Sequence, residues 1–560
     1  MKKIASGILI FTLLLPALIH AQNKAREIEL LNANSLEFDE NLGGKTKRLL
    51  GDVRFRHEGA LMFCDSAYYF DDNKLDAFGH VKLVQGDTVT LTGEIMHYDG
   101  NTKKADIQRN VVLKEKKMTL TTQQLYYDRE KGIAHYLSGG KIVTEENTLT
   151  SLIAYYYNKE KMLHFHKNVV LVNPDYTIKT DTLKQNTQTD ISYFLGPTYM
   201  TTPENDKIYC ENGWYNSKTD KARFGKNTRL ENKNQTITGD SIYYDKPLGY
   251  GRAVRHVSIH DTAEKIILKG HLAEFFEKQD YSYITDSAMM LQYDKTDTLF
   301  LHADTLKSTY DSVYFSAKKN HEKAHKKTPA KKGSKQIEPS PEPFKNDSLA
   351  ERHRILLAWR NVRFYRKDMQ GVCDSLAYTG NDSLMKMYVS PILWNEANQL
   401  NGDFMQIKLS GGTLYFIDQI GKAFIGSQLD SVRYNQIKGK RTRGFFLNNE
   451  LHLVRVKGNA MSIYYARDDE DSSYVGINNA KSTDMDITMA NKKVHQISFL
   501  QSPDALMSPV KGSSPSENML EGFTWFGTIR PNSRQDIFRK PESPNIKPTQ
   551  STKGYKKKAR

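Results

Sequence analysis

The strongest constraint on this chain is a motif that returns about every 29 residues. The segment Phe63-Cys64-Asp65-Ser66-Ala67-Tyr68-Tyr69 has clear echoes in Thr238-Gly239-Asp240-Ser241-Ile242-Tyr243-Tyr244 and Val372-Cys373-Asp374-Ser375-Leu376-Ala377-Tyr378. With the acid as anchor, equivalent positions are Asn34, Asp65, Glu94, Gln123, Ser151, Asp181, Glu211, Asp240, His271, Asp304, Asp374, Asp403, Asp430 and Asn459. Successive anchors keep that period to within a few positions, except for one long gap between Asp304 and Asp374. That gap is one repeat plus an insertion containing a Lys-rich stretch.

The columns of the repeat carry its physics. The residue before the anchor is small in 13 of 14 cases, and the residue two after it is apolar in 13 of 14. Four after is aromatic in 10 of 14, and three before is apolar in 11 of 14. Alternation of this kind marks a strand. Positions −3 and −1 have opposite parity to +2 and +4, so the strand must bend or bulge at the anchor to put all four on one face. A second strand is expected to open at a Gly or Asn, as in Gly51-Asp52-Val53-Arg54-Phe55, Gly79-His80-Val81-Lys82-Leu83, Asn110-Val111-Val112-Leu113, Asn168-Val169-Val170-Leu171 and Asn361-Val362-Arg363-Phe364. Turns such as Asp71-Asp72-Asn73 separate the strands. The expected fold is all-β and quasi-one-dimensional, about 14 repeats each burying an apolar face on its neighbours.

Charge and processing signals divide the chain further. Lys2 and Lys3, the apolar run Ile4 to Leu18 and Ile19-His20-Ala21 read as a signal peptide over 1–21. After it, no apolar run approaches the roughly 18 residues of a membrane-spanning helix. The net charge is +15. Residues 318–336 hold eight Lys against one Glu, and residues 531–560 hold nine Lys or Arg against two acids, so the body is nearly neutral. On an exported chain these basic segments suit an anionic membrane surface or glycolipid better than nucleic acid, or serve only as solubilising linkers, and no nucleic-acid partner is expected. The expected organisation is a β-repeat array over 22–317, a basic flexible linker over 318–350, a second array over 351–500, and a largely disordered basic tail over 501–560. The three cysteines, Cys64, Cys210 and Cys373, share one column five repeats apart, too far to bridge, and are expected as small core residues.

The phased series "small-Asp-Ser/Thr-apolar-x-Tyr" followed by "Gly-x-Val-x-apolar" resembles the OstA/LptA-like family of periplasmic lipopolysaccharide-transport proteins. The stretch from Leu36-Glu37-Phe38 through Gly51-Asp52-Val53-Arg54-Phe55 to Tyr69 carries most of it. The length, with Gly522-Phe523-Thr524-Trp525 and Arg539-Lys540-Pro541 near the end, is similar to OstA-like proteins of the Bacteroidetes type. The resemblance implies a taco-like antiparallel β-jellyroll of two facing sheets. It implies a periplasmic protein, associated with the outer membrane, that takes lipopolysaccharide or a related glycolipid into its apolar interior. It implies head-to-tail self-association through edge strands, and an outer-membrane assembly barrel and inner-membrane transport components as partners. The chain is several times longer than the family's short bridge protein and lacks the large barrel of the translocon.

Groove-lining candidates are the apolar strand positions Val53, Phe55, Phe63, Val81, Leu83, Leu91, Val111, Leu113, Leu120, Val169 and Leu171. No catalytic residue, cofactor or metal is expected, and the chain is read as a non-enzyme. His321-Glu322-Lys323-Ala324-His325 matches a zinc-protease pattern, but it sits in a Lys-rich linker with no apolar face to bury a helix. Local hydrogen bonding at a bend explains the acidic column more simply than stacked calcium ligands do. The aromatic column reads as core or cross-strand ladder rather than a sugar platform. The alternative function is a structural one, a dry-cored β-scaffold that assembles envelope proteins by edge-strand pairing.

Overall fold

The computed structural model describes residues 27–38, 46–86, 89–115, 118–293, 297–310, 354–379, 383–410, 413–468, 473–490, 493–512, 514 and 517–540. The expected signal peptide, the expected linker with its His321/His325 motif, and residues 541–560 lie outside them. The described residues contain strands and short 3-10 turns and no α-helix. The chain divides into two compact units, 1–195 and 196–560.

Unit 1 is an antiparallel meander of β1 (Glu29–Asn32), β2 (Ser35–Phe38), β3 (Lys47–His57), β4 (Ala60–Phe70), β5 (Lys74–Gln85), β6 (Val89–Asp99), β7 (Lys104–Glu115), β8 (Met118–Asp128), β9 (Ile133–Tyr136), β10 (Gly140–Val143), β11 (Thr148–Ser151), β12 (Ile153–Tyr157), β13 (Met162–Asn173) and β14 (Tyr176–Asn186). Its long strands are folded at their middles. In β3 and β4, Leu50 faces Ser66 and Val53 faces Cys64, so the two residues Gly51-Asp52 oppose the single anchor Asp65. The same shift recurs between β4 and β5, β5 and β6, β6 and β7, β7 and β8, and β13 and β14. The Gly or Asn that sequence reading placed at a strand start therefore lies at mid-strand, as half of a bulge.

Both bulge residues adopt left-handed backbone. Gly51/Asp52, Gly79/His80, Arg109/Asn110 and Lys167/Asn168 all have φ between 41° and 74°. Such pairs are strained for ordinary side chains, which is why Gly, Asn, Asp or His fills one or both places. The anchor compensates. His80 Nδ1 lies 2.7 Å from Asp65 Oδ2, and Asn110 Nδ2 donates to Glu94 Oε1 at 2.5 Å. In unit 2, Asn227 pairs with Glu211, His256 with Asp240, and Asn361 with Asp304 in the same way. The acidic column thus ties each of these corners to the next strand.

The fold at the bulges makes two walls. Wall A holds the strand halves 53–57, 60–64, 81–85, 89–92, 111–115 and 118–122. Wall B holds 47–50, 66–70, 74–78, 95–99, 104–108 and 124–128. The walls face each other: the rings of Phe55 on wall A and Tyr69 on wall B are 5.8 Å apart, although Phe55 pairs in register with Met62 and Tyr69 with Lys47. This is the all-β array expected from the repeat, with the antiparallel jellyroll of facing sheets that the resemblance implies.

Unit 2 repeats the motif with longer strands, up to Glu450–Arg467 and Tyr474–Ala490. The strands on either side of the Lys-rich insertion pair directly. Thr305–Tyr310 runs antiparallel to residues 354–359, and residues 300–302 pair with 363–365. The insertion therefore interrupts one array rather than separating two, because the repeat phase resumes after it.

The expected disordered tail is also corrected. Asp504–Ser508 is a strand paired with Tyr474–Ala490. Residues 517–540 run as a strap over a face that carries Trp394, Phe424 and Tyr434. Leu520 and Ile537 on the strap are buried. Two buried glutamines read its backbone as a neighbouring strand would. Gln399 donates to Thr524 O at 2.8 Å and accepts from Phe526 N at 2.7 Å; Gln436 donates to Asn518 O at 2.9 Å and accepts from Leu520 N at 2.8 Å. Arg530 adds two bonds to Gln370 Oε1, and Phe523 and Trp525 pack on Tyr434. Gln399→Ala removes both strap bonds at one place, so limited proteolysis should cut within 517–540 at least several times faster than in the parent protein, with the strands of unit 2 still protected.

Asp418 is fully buried and accepts from Arg441 at 2.8 and 2.5 Å and from Arg443 at 2.6 Å. Burial pushes its carboxyl up, but the hydrogen bonds and charges of the two arginines outweigh that and hold it below the usual range. A lowered folded-state value gives stability that is present above the unfolded value, near pH 4, and lost as pH falls through the folded value. Asp418→Asn should cost about 2 kcal/mol at pH 7, and the gap from the parent should close below about pH 4. All four tryptophans, Trp214, Trp359, Trp394 and Trp525, lie in unit 2, so denaturation followed by tryptophan fluorescence reads it directly.

Candidate functional site

The candidate site is the space between the walls of unit 1. Ten of the eleven groove candidates, Val53, Phe55, Val81, Leu83, Leu91, Val111, Leu113, Leu120, Val169 and Leu171, point into it and are 0–5% exposed. Phe63 does not. It alternates with buried Met62 and Cys64 and lies half-buried on the outer face, because −2 from the anchor has outward parity.

The ten share one wall. All belong to wall A or its continuation through β13; Gly-x-Val-x-apolar marks β3 and β5, and Asn-Val-x-apolar marks β7 and β13. The opposite lining was missed: Leu49, Ala67, Leu75, Ala77, Met96, Ile107, Leu125, Ala134, Phe165 and Leu183, all buried. Several are alanines or methionines and so give a weak hydrophobic signal. Their phase was visible only as the +2 column of the repeat. Together the walls form a continuous apolar stripe that each new strand extends by about 4.8 Å.

Around β6 to β9 the stripe is tightly closed. Between Leu91, Leu113, Leu125 and Ala134, with Tyr127, Tyr156 and Glu115 at its rim, the free space is about 20 Å³. That is room for about one water, since roughly 10–15 Å³ of such space holds one, and far too little for a hydrocarbon chain. An occupant the size of a hydrocarbon chain enters only when the walls part.

The polar residues of interest sit on the outer faces. His97 Nδ1 is 2.6 Å from Asp76 Oδ1. Tyr126, His135 and Tyr155 stack in a row at 5.0 and 5.1 Å, with interplanar angles of 18°. Burial in that row lowers the His135 value. His164 packs on Tyr157, and His166 lies 3.3 Å from Thr182 Oγ1. The stacked rings cover one another's faces, so the row is a cross-strand ladder. The three cysteines are free and buried.

Comparison with known proteins bears on this same segment. The family described as OstA-like protein matches residues 25–181. This part of the chain is OstA-like. It contains the N-terminal edge, the whole A/B wall pair through β13 and all eleven groove candidates. Among solved structures, a periplasmic protein of Pseudomonas aeruginosa is similar at 17% sequence identity. It is described as LptH, the LptA homologous component of the conserved lipopolysaccharide transport device. The match covers 23% of this chain and 85% of that one, with a TM-score of 0.17. No curated protein matches the chain.

Inward and outward positions separate by substitution. Leu83→Ala should destabilise unit 1 by about 2–5 kcal/mol. Phe63→Ala should cost less than about 1 kcal/mol. Chemical denaturation followed by far-UV circular dichroism and by hydrogen exchange in β4 to β7 distinguishes the two.

Proposed function

We propose that this chain is a periplasmic protein of the lipopolysaccharide-transport type, and that its apolar interior carries the acyl chains of lipopolysaccharide or a related glycolipid towards the outer membrane. The observation that carries the proposal is the uninterrupted apolar stripe lined by both walls of the OstA-like segment. Each buried CH₂ contributes about 0.8 kcal/mol, so a multi-chain lipid is held by burial alone, without a catalytic group. An open-ended array also suits a ligand whose polar part stays in water while its chains lie along the strands.

The same proposal includes edge pairing. Among the described residues, β1 and β2 pair only with β3, and Leu36 and Phe38 on that edge are exposed. Exposed main-chain groups flanked by apolar side chains are a template for strand addition. Head-to-tail self-association, an outer-membrane assembly barrel and inner-membrane transport components are the partners this edge would serve. A second reading is favoured by the closed interior: a dry-cored scaffold that uses its edges alone.

Native mass spectrometry with lipid extraction decides between them. Residues 22–560, purified from the periplasm of a lipopolysaccharide-producing host, should carry a lipid A-containing species at about one per chain. A protein that is free of lipid, and stays free after incubation with lipopolysaccharide, overturns the transport reading and leaves the scaffold.

A further inference from the structure

Each folded strand of unit 1 has its corner at one side of the interior and its hairpin turns at the other. The turns are the free tips of the walls, and they are where the interior opens sideways. Wall A ends at His57, Gln85 and Glu115; wall B ends at Tyr69, Tyr98, Tyr127 and Tyr156. The four tyrosines recur at the period of the motif itself.

Their hydroxyls cross the opening at one nearly fixed offset. Tyr69 donates to Ile28 O at 3.0 Å, 41 residues back. Tyr98 Oη lies 2.7 Å from His57 Nδ1, again 41 residues back. Tyr127 donates to Gln85 Oε1 at 3.0 Å, 42 residues back, and Tyr156 reaches Glu115 Oε1 at 3.4 Å, 41 residues back. Arg129 donates to Tyr98 Oη at 2.8 Å, which leaves the Tyr98 proton for His57 Nδ1. Arg129 also reaches His57 O and Glu58 O. The charged pair Lys103–Glu58 spans the tips at 2.9 Å. Burial raises the Tyr98 and Tyr127 hydroxyls above their ordinary value, so both remain protonated.

We infer that Tyr98, Tyr127 and Tyr156, with His57, Gln85 and Glu115 facing them, are a latch that holds the free edges of the two walls together and gates sideways entry of an apolar chain into the interior. The gating half rests on the lipid-carrying reading above; the clasp itself does not. The free space between the walls behind Tyr127 and Tyr156 is too small for a chain, so loading there requires the tips to separate, and these hydroxyl bonds are what separation breaks. The arrangement is graded. Hydroxyl bonds between mostly buried partners hold the tips, while the apolar walls behind them lose nothing permanent when a chain replaces their mutual contact. One bridge opens without the next, so a ligand can enter at one repeat and spread to its neighbours. Tyr244, at the matching position in unit 2, instead donates to Glu277 at 2.9 Å, 33 residues ahead in sequence. Tyr244 thus forms no backward bridge of this kind.

The test is the full-chain triple variant Tyr98→Phe, Tyr127→Phe and Tyr156→Phe, which keeps the rings and removes only the hydroxyls. Tyr126→Phe, on the outer face, is the control. Backbone hydrogen exchange at the wall tips around 57–60, 85–89, 99–104 and 128–133 should rise about tenfold or more in the triple variant. It should be unchanged at the corners and in the control. The rate of uptake of cis-parinaric acid, whose fluorescence rises on burial, should increase by a similar factor with unchanged stoichiometry. Unchanged tip exchange overturns the latch, whatever the probe does. Faster tip exchange with unchanged uptake overturns the gate. Faster tip exchange with no uptake by either protein removes the lipid reading and the gate together while supporting the clasp.

Discussion

The structure depends on one strained element, the pair of consecutive left-handed residues at the middle of each long strand. That pair folds a strand over so that both halves aim apolar side chains at one interior. Without it, the opposite parities around the anchor would put half the apolar side chains in water. The strain is of order 1 kcal/mol per non-glycine residue, and it recurs from corner to corner. The anchor carboxylates offset it, bonded by an Asn or His of the bulge on the next strand. These contacts are exposed and individually weak, but they are local and repeated. Each corner is therefore stabilised by its own neighbours, in keeping with an array that grows strand by strand.

The same corner sets the chemistry of the interior. A strand half is short, so each wall presents only a few inward side chains per strand. The apolar stripe is narrow and long, and it extends by repetition rather than by widening. Such a shape favours ligands that are themselves long and apolar, and it places the tips of both walls close together opposite the corners. The tyrosines at those tips are aromatic enough to sit over the apolar stripe and polar enough to bind across it. The closed interior and the polar seam are two results of one geometry.

The repeat made the all-β array and its bends legible from the residues alone. Wall A was legible too, because Val53 and Val81 stand two after a Gly, and Val111 and Val169 directly after an Asn. Wall B was not, since Ala67, Ala77 and Ala134 carry little hydrophobic signal and their strands are continuous through the corner. Phe63 was placed inside as an apolar strand position, against its parity. The strap escaped because Gln399 and Gln436 hold it through side-chain amides, which leave no periodic trace among its Ser, Pro and Asn residues. The boundary between the units, after Leu195, and the direct pairing across the Lys-rich insertion depend on strand contacts that no local pattern encodes. The tyrosine column stood out in the sequence, but its partners lie well over one repeat earlier in the chain and belong to a different column.

The burial of the cysteine column has a chemical consequence of its own. Burial pushes the thiols of Cys64 and Cys373 up to about 12 and that of Cys210 up to about 11. Thiol–disulfide exchange proceeds through the thiolate, which at neutral pH is then populated at roughly one part in ten thousand or less. Once folded, the chain keeps its sulfurs protonated and out of reach of oxidants, so its cysteines resist disulfide exchange.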